Sequence, residues 1–425
     1  MNKEIDKKLY TEDSIESLSP LAFTRLRPGV YAGDTTYATQ LLVEIISNAI
    51  DEFRLGHGNL IEVKIDKDIV SVRDYGQGFI PNSVREDGKT ILEAAFSVLN
   101  TSGKYREDGT YEGTSLGSFG IGSKITTFLS HWLRVWTIRD GKFEQVKFKE
   151  GEFEDRVSGV DKSPSGTYVE WQPSEEFFTN TIVEDKVIKD LFKTTSCLCP
   201  GLTIKLDFNG EIIEYNSVNG LNDLVTDRVK GNELIDKRFN FQMEEGKNKL
   251  DMVMTYTSNY SATIVPYVNT GLTETGAHIT QFKTYITKVF NKFLRDKKWL
   301  KEKEDNLTGD DIQEGMYLVF NITTPGVGYD AQVKSRITKI DMKPFIGPFV
   351  TAFGEWLERN EKEVKVIADK AINARKAREA AKKARDTVRN KSEKKQKALK
   401  FDSKLADCYG KDRSKCEIYI TEGKR

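Results

Sequence analysis

Four short segments in the first half of the chain hold residues whose types and spacing could do chemistry. The first is Glu44-Ile-Ile-Ser-Asn48-Ala-Ile-Asp51-Glu52. Glu44 and Asn48 are one helical turn apart and share a helix face. A carboxylate there can orient and deprotonate a water, and the amide oxygen can hold a hard cation such as Mg2+. The edge of an ordinary amphipathic helix has the same pattern, so the pair decides nothing alone. The second segment is Asp74-Tyr75-Gly76-Gln77-Gly78. Asp74 can accept a hydrogen bond from an exocyclic amine, and the glycines let backbone approach a flat ring. A plain strand-ending turn reads the same way. The third is Gly117-Ser-Phe-Gly120-Ile-Gly122, ahead of an apolar helical run from Ile125 to Leu129. Glycines at a helix N-terminus expose N–H groups to phosphate. Neither a Walker A loop nor the dinucleotide fingerprint fits it. Lys104, in the same loop, can bring a cation to phosphate. The fourth is Gly166-Thr167, whose hydroxyl can bond a base or an ordered water.

These residues need a scaffold, and the surrounding pattern supplies one. Apolar residues Leu41, Leu42, Ile45, Ile46, Ala49 and Ile50 recur at helical spacing and predict a helix from Thr36 to Phe53. Alternation predicts strands at 61–65, 69–74, 133–138, 144–148 and 167–171. Asn209-Gly210 predicts a hairpin between strands 203–208 and 211–215. Leu99 to Gly122 has no period and reads as a long loop. Helices interleaved with hairpins predict an α/β sandwich and not a parallel doubly wound sheet. A second block carries strands at 252–257 and 316–322 and a helix at 278–294. It closes on one long helix whose apolar stripe is Phe345, Phe349, Phe353, Trp356 and Leu357, thinning beyond Val364. The basic run from Lys362 to Lys400 either approaches a nucleic acid or is a solvated face. Glu417 to Thr421 reads as one strand.

Composition sets wider bounds. The chain has 425 residues, which predicts two or three domains. Its 65 basic and 65 acidic residues cancel, so net charge announces no polyanionic partner. No segment is apolar and long enough to span a bilayer. The polar N-terminus and only four cysteines read as cytosolic, hence a cytoplasmic localisation and no membrane partner. Cys197 and Cys199, one residue apart, are expected on one side of a strand or loop as inert thiols, not a metal site.

In order and spacing, the four segments resemble the nucleotide site of the GHKL ATPases. Further segments narrow the resemblance to the ATPase subunit of bacterial-type type IIA topoisomerases, the gyrase B and topoisomerase IV B kind. They are Arg25-Leu-Arg27-Pro-Gly29-Val-Tyr31, Asn269-Thr-Gly with Gly276-Ala-His278, Gly309-Asp310-Asp311-Ile-Gln-Glu314-Gly315, Gln332-Val-Lys334-Ser-Arg336, Ala374-Arg375-Lys-Ala-Arg378 and Ile418-Tyr-Ile-Thr-Glu422-Gly423. Together they cover nearly the whole chain.

The resemblance implies an α+β fold: a GHKL (Bergerat) sandwich over 1–218, a ribosomal-protein-like βαβ transducer with a long C-terminal helix over 219–390, and a linker plus the first strand of a TOPRIM domain over 391–425. It implies ATP and Mg2+ as cofactors. Glu44 becomes the general base and Asn48 the Mg2+ ligand. Asp74 reads the adenine amino group with Thr167 assisting, and Gly76 and Gly78 shape the adenine pocket. Lys104, Gly117, Gly120 and Gly122 hold phosphates. Tyr31 and Tyr111 lie along the nucleotide. Lys334, with Gln332 beside it, reaches the γ-phosphate from the second domain. Because only ATP offers a γ-phosphate, that contact is a nucleotide-dependent latch.

The implied partners are a second copy of the chain, joined through the N-terminal arm when ATP binds, DNA, and a tyrosine-bearing breakage-reunion subunit. The implied activity is the ATP-driven clamp of DNA strand passage, with no DNA cleavage by this chain alone. The alternatives are another GHKL ATPase, MutL-like or like the heat-shock chaperones, or a truncated nucleotide-binding regulatory subunit. Four departures stand out. Phe119 replaces a lid histidine. Gln77 replaces an arginine, which takes a partner from Glu52. Ser47 replaces an aspartate. Gly423-Lys424-Arg425 replaces the metal-binding continuation after Glu422, so the TOPRIM metal site is incomplete.

Overall fold

The structure, a computed structural model, describes residues 18–99, 120–330, 336–399 and 412–420. Two short helices, α1 (Pro20–Leu26) and α2 (Pro28–Ala32), open it, each with proline at its first position. Proline is suited there because its fixed φ is helical and its missing N–H would have no helical acceptor. The long helix α3 (Thr39–Arg54) starts later than its periodicity predicts. Tyr37 is drawn instead into a bridge with Asn180, and the Thr36 amide donates to Asp34 at 2.8 Å.

There follow β1 (Leu60–Asp66), β2 (Ile69–Asp74), α4 (Ile91–Ser97), α5 (Gly122–Phe128), β3 (Ser130–Arg139), β4 (Lys142–Lys149), β5 (Glu152–Val160), β6 (Gly166–Pro173), α6 (Asp185–Leu198), β7 (Thr203–Phe208) and β8 (Glu211–Tyr215). The strands form one eight-stranded sheet in the order β5-β4-β3-β6-β2-β1-β7-β8. All neighbours are antiparallel except β1 and β7. Alternate residues such as Val63, Val72, Val135, Val169 and Leu206 point to one face. There they share a core with Leu41, Leu42, Ile45 and Ile46 of α3. The expected sandwich is present. β5 escaped the sequence reading because all of its residues are exposed and it has no apolar alternation to read. Its charged side chains suit a sheet edge.

The second half contains α7 (Leu221–Val229), β9 (Phe239–Glu245), β10 (Asn248–Tyr256), β11 (Thr263–Val268), β12 (Gly271–Leu272), α8 (Ala277–Asp296), α9 (Gly309–Gln313), β13 (Met316–Thr323), β14 (Gly328–Tyr329), β15 (Ile337–Lys339), α10 (Lys343–Arg359) and α11 (Glu361–Leu399). Its five-stranded sheet runs β12-β11-β13-β10-β9. β11 and β13 are parallel neighbours joined through α8, which makes a βαβ crossover. The aromatic stripe of α10 packs on this sheet and on α8, with Phe349 5.1 Å from Phe282 and Phe353 5.3 Å from Phe239.

The single long helix expected here is two. Asn360 leaves the helical conformation, and its side chain donates to the Trp356 carbonyl at 2.8 Å, a local alternative to continuing the turn. Early in α11, Val364, Ile367, Ala368, Ala371 and Ala374 are buried. Arg378 then grips Asp311 through two nitrogens at 2.8 and 2.9 Å, and residues 376–389 are all exposed.

Two further expectations change. Cys197 lies in the last turn of α6 and Cys199 caps that helix, so neither is on a strand or loop. The apolar alternation around them is the buried side of a helix. Burial pushes the Cys199 thiol up to about 12, which makes it unreactive. Glu417 to Ile420 is not paired as a strand among the described residues, and Ile418 and Ile420 are more than nine-tenths exposed. Alternation makes a strand only where a neighbouring strand supplies the ladder. Among the described residues, no helix is long and apolar enough to cross a membrane.

Candidate active site

Helix α3 carries the site. Its apolar side enters the core, which leaves Glu44 half-buried and Asn48 exposed away from it. The Gln40 amide donates to Glu44 Oε1 at 2.9 Å and steadies the carboxylate. The described chain resumes at Gly120, whose φ of 61° suits glycine, and α5 begins at Gly122 directly against that carboxylate. A Cβ on Gly122 would lie 2.1 Å from Glu44 Oε2, so glycine lets the backbone come this close without displacing the carboxylate. Among the described residues no side chain caps α5, which leaves the Gly122 and Ser123 N–H groups for another acceptor, while the Lys124 amide donates to the Ile121 carbonyl at 3.0 Å. Thr126 donates to the Leu41 carbonyl at 3.2 Å and locks α5 onto α3.

Asp74 ends β2 and is buried. Its Oδ1 accepts the Gly76 amide at 2.9 Å and the Thr167 amide at 3.1 Å. Among the described residues, Oδ2 takes no hydrogen bond and can accept one from a ligand. Burial lifts this carboxyl to about 6, against the two amide donors, which hold it down. Thr167 therefore assists Asp74 through its backbone. The close approach is secured by Gly166, where a Cβ would fall 2.2 Å from the Asp74 carbonyl oxygen. Gly78, at φ 69°, also comes close to the Ile138 carbonyl oxygen, 2.6 Å from where its Cβ would be.

Glu52 joins the two parts. Its Oε2 accepts the Gln77 amide at 3.3 Å and sits where a Cβ on Gly76 would be, 2.8 Å away. The turn's backbone thus takes the place of the missing arginine, and His57 Nδ1 lies 3.3 Å from the same oxygen. Glu44 and Glu52 are separated by roughly 12 Å along α3, at 1.5 Å per residue.

Of the other predicted residues, Tyr31 is half-buried and packs edge-to-face on Phe23 at 6.2 Å. Lys104, Tyr111, Gly117, Phe119, Gln332, Lys334 and Glu422 lie outside the described residues, as does the arm before residue 18. Sequence reasoning missed Gln40, whose position one turn before Glu44 was the signal that could have found it. It also missed Lys124, which is buried two residues past Gly122 and whose ammonium is pulled down to about 8 by that burial.

The profile of the DNA gyrase B family matches residues 220–387. The topoisomerase IV B protein of Streptococcus pneumoniae is 33% identical over 99% of this chain and 67% of its own length. The chain belongs to the B-subunit family of type IIA topoisomerases. The B protein of the Aquifex aeolicus type 2 topoisomerase is 32% identical over 97% of this chain. This B-subunit chain spans about half to two thirds of its curated relatives, 53% of the Aquifex protein and 64% of the Bacillus subtilis topoisomerase IV counterpart. Its fold is similar to the 43K ATPase domain of Thermus thermophilus gyrase B, with TM-score 0.68 and 26% identity over 86% of this chain and 98% of that one. The mixed α+β architecture is that of these B-subunit ATPase regions.

Proposed function

We propose that this chain is the ATP-operated clamp of a type II topoisomerase, hydrolysing ATP at the α3 site and closing as a dimer to capture a DNA segment for strand passage. The observation that carries this reading is the juxtaposition of Glu44 with the backbone of Gly122, on the same helix whose far end is tied to the Asp74 turn. Asp74 Oδ2 accepts the adenine amine. Glu44, steadied by Gln40, takes the proton of the attacking water. The uncapped start of α5 offers N–H donors to the triphosphate. The oxygen donors at this end fit a hard cation, and Asn48 is the residue that would hold Mg2+, which neutralises phosphate charge when bound. Lys104 and the Gly117 and Gly120 backbone complete the phosphate contacts. Lys334 and Gln332 report the γ-phosphate to the second half of the chain. DNA, the tyrosine-bearing subunit and a second copy are the partners of this reading, and the gyrase and topoisomerase IV names of the relatives support it.

Sedimentation of the chain with a non-hydrolysable ATP analogue tests it. A dimer with the analogue and a monomer with ADP are expected. A monomer under both conditions, with the analogue bound, would overturn the clamp.

A further inference from the structure

Arg54 is the last residue of α3, where a cation ordinarily faces solvent and complements the helix dipole. Here its side chain is only 13% exposed, and its fork leaves the first sheet's domain altogether. Nη1 donates to the Asn269 carbonyl at 3.2 Å, and Nη2 donates to the Thr323 hydroxyl at 3.3 Å. Asp51, one turn back on α3, lies 3.8 Å from Nη1.

Both acceptors are rigid. Asn269 follows β11 and adopts a φ of 52°, and Thr323 ends β13, its parallel neighbour. The Asn269 side chain clamps Thr324 twice, accepting its amide at 3.1 Å and donating to its carbonyl at 3.1 Å. The Asn269 amide donates to the Ile322 carbonyl at 2.7 Å. These bonds close the ends of the two strands into one buried clasp, directly before the β14–β15 hairpin. The hairpin's return strand is rooted in the same region, since the Ile337 amide donates to the Thr275 carbonyl at 3.0 Å.

We propose that Arg54 is a positioning residue for ATP hydrolysis, fixing the helix that carries Glu44 to the second sheet at the root of the β14–β15 hairpin. The inference rests on the ATPase reading of the α3 site. Helix α3 is a rod held near one end by α5, through Thr126, and at the other by Arg54. A shift at the seam therefore moves the rod, and with it Glu44, against the backbone at Gly122. The two acceptors are held by separate nitrogens of the planar guanidinium, a spread that the single nitrogen of a lysine does not reproduce. Other contacts at this seam are of a different kind. Lys193 pairs with Asp227 at 2.7 Å between α6 and α7, but both side chains are well exposed, so the pair tethers the surface without touching α3.

The test compares ATP turnover and nucleotide affinity for the whole chain as R54A, R54K, T323V and K193A, with Glu44→Ala as reference. Expected for R54A is a kcat about tenfold lower with KM changed less than about twofold, since a misplaced base loses rate and not binding. R54K and T323V, which keep the fold's packing and remove one arm of the fork each, fall between R54A and wild type. K193A matches wild type. A purely structural Arg54 would lower the melting temperature and leave kcat of the folded protein intact, and that result would overturn the proposal. Equal losses in R54A and K193A would overturn it too. If Glu44→Ala itself turned over ATP at the wild-type rate, the reading of the site would fail, and that outcome is distinct from a normal R54A beside an inactive Glu44→Ala.

Discussion

Replacing Gly122 with alanine separates the needs of the fold from those of the chemistry. The new methyl would lie 2.1 Å from Glu44 Oε2, where no such contact is tolerated, so something must retreat by about 1 Å. What retreats is the far end of a flexible carboxylate, and the Gly122 backbone is in an ordinary conformation that alanine adopts. Glu44 Cβ, 3.2 Å from the new methyl, must also give by a few tenths of an ångström, so the fold is left close to neutral. The base is different: a displacement of about 1 Å costs on the order of 100-fold in rate, or about 2.7 kcal/mol of transition-state stabilisation. Steady-state ATP turnover, calorimetric titration with a non-hydrolysable analogue and a thermal melt read the three quantities. The expectation is a melting temperature close to wild type, analogue binding retained and kcat down by about two orders of magnitude. A folded Gly122→Ala protein with wild-type kcat would refute the claim that Glu44 works from this position.

Asp74→Asn keeps an oxygen for the Gly76 and Thr167 amides but removes the ionised acceptor, so analogue binding is lost at all pH. In the wild type, affinity falls as pH drops through about 6, where the carboxyl protonates. The same raised value makes ionisation costly to the fold, a cost that is absent below about pH 4 and complete above about pH 6. The Asp74→Asn protein should therefore be more stable than wild type by at most about 3 kcal/mol at pH 8, with the gap closing toward pH 4 in urea titrations. Arg378→Ala leaves Asp311 buried without its guanidinium and loses about 2 kcal/mol of local stability. Limited proteolysis should then cut α11 beyond Ala374 faster than in wild type, and an unchanged cleavage rate would show that the pair does not anchor the helix.

Much of this was legible in the sequence because it is periodic. The α3 stripe, the alternating strands and the Asn209-Gly210 hairpin are each set by local spacing, and each appears close to its expected place. β5 was illegible because an exposed edge strand is held mainly by backbone pairing to β4. The break at Asn360 was illegible because one side chain competing for one carbonyl leaves no mark in an apolar stripe. At the site, Glu44, Asp74 and the glycines were readable by type and spacing, but the reasons for the glycines were not. Gly76, Gly122 and Gly166 are required by the protein's own Glu52, Glu44 and Asp74, contacts that join residues far apart in sequence. Arg54 was invisible for the same reason. In sequence it is a helix-terminal cation, and only the tertiary fold gives it acceptors on a second sheet.

Turnover of saturating ATP by Glu44→Ala is the most direct measurement of the central claim. The account predicts that this protein binds the nucleotide as wild type does and hydrolyses it no faster than background. Hydrolysis at the wild-type rate would mean that the carboxylate facing Gly122 is not the base and that the site on α3 has been misassigned.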